Sequence, residues 1–146
     1  MADSKSEQVL KALTTAIKTA LPSGASFERN EFYPDRIPSL GSVVLQDGDP
    51  GVPEITLSPT EYIYDHRAEV DIIVNGSSST ARDAKFDVLK QAIGTAISSD
   101  RTLGGLCDYV VGEAPAPLEL PVEGAQGLKA ATIGVILTYG TPDPLI

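Results

Sequence analysis

The sequence predicts a single α+β domain in which a mainly antiparallel β-sheet packs against two α-helices. Apolar residues recur at three- and four-residue steps in two segments, which is typical of one helix face, and alternate in two others, which is typical of one strand face. The 146 residues fit one domain, and 42% hydrophobic with 21% charged residues is close to the average of globular proteins. The predicted order is α-β-β-β-α-β-β, in one domain spanning residues 1–146.

The first helix is predicted over residues 5–21. Ser4 and Glu7 have the spacing of a capping box at its start, and Pro22 stops it. The expected buried stripe consists of Val9, Leu10, Leu13, Ala16, Ile17, Ala20 and Leu21.

Two short strands should follow, one around Phe27 within residues 25–31 and one at residues 43–45. Residues 46–59 contain three prolines and two glycines, so they are predicted to form a projecting loop or hairpin.

The clearest strand is predicted over residues 61–74, because apolar and charged residues fall on opposite faces of an extended chain there. The face expected in the core carries Tyr62, Tyr64, His66, Ala68, Val70, Ile72 and Val74. The other face is expected to lie outside the core and carries Asp65, Arg67, Glu69 and Asp71.

The second helix is predicted over residues 80–98, with Ser79 or Thr80 as its N-cap. Its expected buried stripe is Phe86, Leu89, Ile93 and Ile97, widened by Ala84, Val88, Ala92 and Ala96.

After this helix the sequence predicts a turn at residues 100–105, a short strand at 107–111, an extended irregular segment at 113–124 and a last strand at 128–139. The tail, residues 140–146, is expected to leave the sheet. The apolar face of the last strand should carry Ala131, Ile133, Val135, Leu137 and Tyr139.

The charge balance disfavours direct binding to nucleic acid. A formal net charge of −9 opposes contact with phosphate backbones. The amino terminus lacks a secretory pattern, no apolar run approaches the roughly 20 residues of a membrane-spanning helix, and the lone Cys107 cannot form an internal disulfide. We therefore expect a cytoplasmic origin and no membrane partner.

No residue pattern indicates catalysis, a cofactor or a metal. His66 is the only histidine, and Asp65 beside it points to the opposite strand face, so a packed or interface histidine is favoured over a catalytic one. Cys107 has no basic neighbour in sequence to lower the pKa of its thiol. Residues 47–58 begin like a calcium loop but end in Ser58, where a bidentate glutamate is needed.

Two stretches carry a family resemblance: RAEVDIIVNGSSSTARDAKFDVLKQAIGTAISSDRTLGGLCDYVV and ELPVEGAQGLKAATIGVILTYGTPDPL. Together they resemble tail terminator proteins of long-tailed bacteriophages and prophages. The similarity covers roughly residues 60–145, in the order strand, helix with an Arg-Asp start, Asp-Arg-Thr-Leu-Gly-Gly-Leu turn, and final strand ending in Thr-Pro-Asp-Pro.

The resemblance implies a structural virion protein without enzymatic activity. Such proteins form a six-membered ring at the head-proximal end of the tail tube, end tube polymerisation and provide the docking surface for the head. The implied partners are further copies of the chain, the major tail tube protein and the head-tail connector protein. The implied location is the virion, reached from the host cytoplasm, and an electronegative bore would let DNA pass without specific binding.

On this hypothesis, the loop at residues 46–60 contacts the tube or connector, and the charged strand face or the tail contacts neighbouring subunits. The predicted interaction residues are Asp47, Asp49, Glu54, Asp65, Arg67, Glu69, Asp71 and Asp143. One alternative is a neck or tail-completion protein of the same virion region. Another is a small cytoplasmic enzyme resembling an acyltransferase, which requires His66 or Cys107 in a pocket with a perturbed partner.

Overall fold

The computed structural model describes residues 2–32, 36–118 and 127–146. The helices are α1 (Lys5–Ala20) and α2 (Ser79–Ser99), and the strands are β1 (Ser26–Arg29), β2 (Ser42–Asp49), β3 (Glu54–Thr56), β4 (Glu61–Asn75), β5 (Tyr109–Gly112), β6 (Ala116–Pro117) and β7 (Leu128–Thr141). The predicted α+β class is confirmed. The order gains two short strands, β3 and β6, that were not predicted as separate elements.

The sheet is built around the antiparallel pair β4 and β7, which stay in register from Tyr62 opposite Thr141 to Asn75 opposite Leu128. The strand order is β1-β2-β4-β7-β5, with β3 also paired to β4 and β6 also paired to β7. The described strands are antiparallel except for β1 with β2, which are parallel. Strands β3 and β5 therefore lie on opposite sides of the central pair.

The core lies between the helices and one face of the sheet. Buried residues of α1 and α2 form one cluster with alternate residues of β2, β4 and β7. The predicted buried stripe of α1 is confirmed at Val9, Leu10, Leu13 and Ile17. That of α2 is confirmed at Phe86, Leu89, Ile93 and Ile97. The proposed widening of the α2 stripe is wrong at Ala84 and Val88, which are exposed.

Both helices begin at serine caps. The Ser4 side chain accepts a hydrogen bond from the Glu7 amide at 3.3 Å, as the sequence predicted. In α2 the cap is Ser78, one residue before the predicted pair, because Ser78 is the last residue with extended backbone before the helix. Its hydroxyl oxygen accepts from the Ala81 amide at 3.1 Å.

Strand β2 is longer than predicted, and the predicted loop after residue 45 begins only at Pro50. The register between β2 and β4 shifts between Gln46 and Asp49. Gly48 lies in this bulge with φ +74°, and a Cβ there would come within 2.9 Å of the Ala68 Cα and closer still to the Arg67 carbonyl oxygen. Glycine is therefore required at this position.

The outer face of β4 is not exposed throughout, which corrects the expectation that it lies outside the core. Asp71 and Ile73 are 6% and 1% exposed, and Val44, on the paired strand β2, is fully buried. Of the four charged residues predicted on this face, Asp65 and Arg67 are exposed and Glu69 is half-buried.

The predicted segment 107–111 and its continuation also differ in detail. The strand begins at Tyr109, because Cys107 still belongs to the preceding turn, where its amide donates to the Thr102 carbonyl. Of the segment predicted as irregular, residues 116–117 pair with β7, and residues 119–124 lie outside the described residues. No helix of the described ranges is long and apolar enough to cross a membrane.

Candidate assembly surfaces

A hairpin connects β2 to β4 at the edge of the sheet; we call its residues 50–60 the arm. Its large apolar side chains are exposed: Val52 to 96%, Ile55 to 55% and Leu57 to 76%. Strand β3 pairs only with the first residues of β4. Contiguous exposed apolar surface often marks a contact site, and these three side chains lie within one six-residue stretch. The sequence indicated a loop or hairpin around a short apolar segment at residues 55–57, and the structure adds that these side chains are exposed.

The base of the arm is anchored by ion pairs. Arg29 on β1 donates to the Asp47 carboxylate at 2.9 and 3.1 Å and to the Glu7 carboxylate of α1 at 2.9 Å twice. Hydrogen bonds from Arg29 hold the pKa of Glu7 below its ordinary value. Burial raises the pKa of Asp47, but hydrogen bonds from Arg29 and Asn30 outweigh this and leave it lowered.

His66 joins the arm base to the core. Its Nε2 lies 2.7 Å from the Asp47 carbonyl oxygen, and its Nδ1 lies 2.8 Å from the Tyr139 hydroxyl. Because a carbonyl only accepts, Nε2 carries the proton, and in the neutral ring Nδ1 accepts from Tyr139. His66 is 3% exposed and Tyr139 is 2% exposed. Both ring nitrogens therefore bind structural groups, which supports the packed interpretation over the catalytic one.

Cys107, the other candidate of the enzyme alternative, is 4% exposed. Burial raises the pKa of its thiol to about 11. The nucleophilic thiolate is thus scarce at neutral pH. Among the described residues, no three histidine, cysteine, aspartate or glutamate side chains group as a metal site would require.

The exposed part of the predicted charged face is organised around Arg67. Its guanidinium donates to Glu113 at 2.9 Å and to Glu69 at 2.7 Å. The side chains lie over Gly134, where a Cβ would collide with both Arg67 and Glu113. Asp65 accepts from the Thr138 hydroxyl at 2.7 Å. Asp71, placed on this face by the sequence pattern, is instead buried and accepts from Thr132 at 2.6 Å.

The tail was expected to leave the sheet at residue 140, but β7 continues to Thr141 and the chain then folds back onto α1. The Ile146 carbonyl accepts from the Lys5 amide at 3.1 Å, which satisfies a donor in the first turn of α1. The Asp143 carboxylate accepts from the Leu145 amide at 2.8 Å and closes the turn. The side chains of Leu145 and Ile146 stay exposed, to 87% and 70%.

A groove of about 310 Å³ lies between α2 and the β5 edge; we call it the α2 groove. Its apolar lining includes Ile93, Ile97 and Val111, with Lys90 and Arg101 also lining it. Arg101 donates to the Val110 carbonyl at 2.8 Å and lies 5.2 Å from the centre of the Tyr109 ring. This groove was not predicted from the sequence.

Gly94 is the residue in the sequence that could have indicated the α2 groove. A glycine inside a helix is less favourable than alanine by about 1 kcal/mol, so its presence calls for a reason. Gly94 lines the α2 groove, and a Cβ added there would meet no atom within 4 Å. Gly94 is exposed, so helix backbone forms part of the groove wall at the middle of α2.

The predicted interaction residues fall into separate places. Glu54 lies on the arm, Asp49 directly precedes it, and Asp47 lies at its anchored base. The solvent-accessible part of the charged face consists of Asp65, Arg67 and Glu69. Asp143 closes the turn in the tail. No protein-family model matches the chain, and no curated protein sequence matches it significantly.

Proposed function

We propose that this chain is a structural virion protein that forms the ring at the head-proximal end of a long-tailed phage tail. In this role it ends polymerisation of the tube and offers the head connector its docking surface. The chain acts by assembly and not by catalysis. The observation that carries the proposal is the arm, whose apolar side chains are exposed while its base is fixed by Arg29 and His66.

The rigid base matters because a contact element that is already positioned loses less conformational entropy on binding. The acidity supports the same role. With a net charge of −9, a ring of such chains lines a bore that does not retain DNA. The occupied ring nitrogens of His66 and the buried thiol of Cys107 favour assembly over the enzyme alternative.

The proposal is tested by removing the gene from the phage or prophage that encodes the chain and imaging the lysate. A terminator is expected to leave tubes longer than those of the parent and no heads joined to them, and supply of the intact chain from a plasmid restores both. Tubes of parental length beside unjoined heads would indicate a completion protein instead. Normal particles would refute a role in the virion.

A further inference from the structure

We propose that the arm of one copy docks into the α2 groove of a second copy, so that copies join head to tail. This inference rests on the proposed ring and names the contact that builds it. It assigns the arm to a neighbouring copy, where the sequence analysis assigned it to the tube or connector.

The arm and the α2 groove lie towards opposite edges of the sheet. Strand β3 of the arm pairs with β4, and β5 beside the groove pairs with β7, with the β4–β7 pair between them. Three strand spacings separate β3 from β5, which is roughly 14 Å. An arm therefore cannot reach across the sheet by a small local movement, whereas a second copy placed edge to edge can present its groove to it.

The two surfaces also match in chemistry. Residues 46–65 contain no lysine, arginine or histidine, and the arm and its flanks carry Asp49, Glu54 and Glu61. The α2 groove combines apolar lining with the cations Lys90 and Arg101. Apolar side chains of the arm can enter the groove while its carboxylates face these cations.

The acidic groups near the groove do not cancel this match. Glu113 also lines the groove, but its carboxylate is bound by Arg67 at 2.9 Å. Lys90 lies 3.3 Å from Asp87, in a pair whose two side chains are 44% and 51% exposed. Exposed pairs of this kind are weak, so Lys90 can exchange Asp87 for an incoming carboxylate.

This contact uses different surfaces on the two copies, so each copy offers its arm to one neighbour and its α2 groove to the other. Such heterologous contacts close into a ring when the rotation between neighbours divides a full turn, and otherwise continue as a filament. One repeated arm–groove contact is thus enough to build a closed assembly.

The test uses two full-length variants that each lose one side of the contact. Leu57→Asp places a charge on the arm, and Gly94→Trp fills the groove at a position where a Cβ meets nothing within 4 Å. The matched control is Val88→Asp on α2, since Val88 is 51% exposed and does not line the groove. Melting temperatures of all variants verify that they are folded, and Lys90→Glu replaces the tryptophan variant if that one is unfolded.

The measurement is NMR titration of ¹⁵N-labelled Gly94→Trp, which keeps an intact arm, with unlabelled Leu57→Asp, which keeps an intact groove. This mixture can form one contact and no chain. Saturable shifts are expected for amides of Val52, Glu54 and Leu57 in the labelled protein. The control partner carries Val88→Asp in addition to Leu57→Asp, so that it keeps the groove but cannot assemble with itself, and it should produce the same shifts. Labelled Leu57→Asp mixed with unlabelled Leu57→Asp should show an apparent affinity at least tenfold weaker.

Absence of arm shifts at concentrations up to ~1 mM, or shifts confined to other surfaces, would overturn the arm–groove contact. This failure is separable from failure of the proposed function. A ring seen on phage tails without arm shifts refutes the contact alone. Arm shifts in a protein that is absent from phage particles would refute the phage function and leave the contact standing.

Discussion

Replacing His66 with leucine should destabilise the fold, because the imidazole hydrogen-bonds two groups that leucine cannot bind. Leucine has a volume close to that of histidine, so the change removes hydrogen bonds without creating a large cavity. The Tyr139 hydroxyl and the Asp47 carbonyl, 2.8 and 2.7 Å from the ring nitrogens, each lose a partner. A buried polar group without a partner costs about 1–3 kcal/mol. Because the bond to the Asp47 carbonyl is only part-buried, the expected loss in free energy of unfolding lies in the lower half of the sum for two groups, at about 2–4 kcal/mol.

A double-mutant cycle isolates the bond between the ring and the hydroxyl. Tyr139→Phe removes the same bond from the other side, so the combined variant should lose about 1 kcal/mol less than the sum of the single variants. The assay is urea unfolding at neutral pH, followed by circular dichroism. Tyr109→Phe removes a hydroxyl from a residue that is 49% exposed and should change stability by less than about 0.5 kcal/mol.

The same substitution should loosen the arm base before the rest of the sheet. In native-state hydrogen exchange, amides of residues 46–49 are expected to lose protection while the centre of β4 keeps it. Wild-type stability in the His66→Leu variant, or strictly additive losses in the cycle, would refute the structural role assigned to this histidine.

Four further outcomes follow from the charges and the backbone. The carboxyl groups of Glu7 and Asp47 have lowered pKa values, so their contribution to stability is present above about pH 4.5 and is lost as pH falls. In urea unfolding between pH 3 and 6, Arg29→Met should therefore show a smaller loss of stability with falling pH than the parent protein. Burial raises the pKa of Cys107 to about 11, so an aromatic disulfide reagent should react at pH 8 only as fast as the chain opens, and fast reaction of the folded chain would contradict the buried thiol. Burial also raises the pKa of Tyr139 to about 12 from 10.0, so stability should fall as pH rises from 10 towards 12, and Tyr139→Phe should remove part of that slope. Gly48→Ala should cost more than Gly51→Ala in the same unfolding assay, because both have positive φ but only Gly48 lies against a neighbouring strand.

The long elements of the fold could be predicted because each carries a complete local pattern. Helix α1 has a cap, an apolar stripe and a terminating proline, and charged residues of β4 occupy every second position from Asp65 to Asp71. Strand β2 beyond Leu45 could not be predicted, because Asp47, Gly48 and Asp49 have low strand propensity and are held in place by the bulge against β4. Pairing with a long neighbour decides such a segment, and its own sequence does not show it.

The site was predicted only in part for a similar reason. The charged alternation of β4 located Arg67 and Glu69, but not Glu113, which is 46 residues away from Arg67 in sequence. The partners of His66 come from positions 19 and 73 residues away. The α2 groove combines residues from a helix and an edge strand, so no single segment shows it. Contacts across the sheet depend on strand order, which local periodicity does not determine.

The proposal that this chain closes the tail tube is tested most directly by electron microscopy of particles or tails purified from the encoding phage, with the structure fitted into the density. The account predicts a ring of copies between the tube and the head connector, with the arm of each copy at the edge of its neighbour. Density that places the chain elsewhere in the particle, or particles that lack the chain altogether, would contradict it.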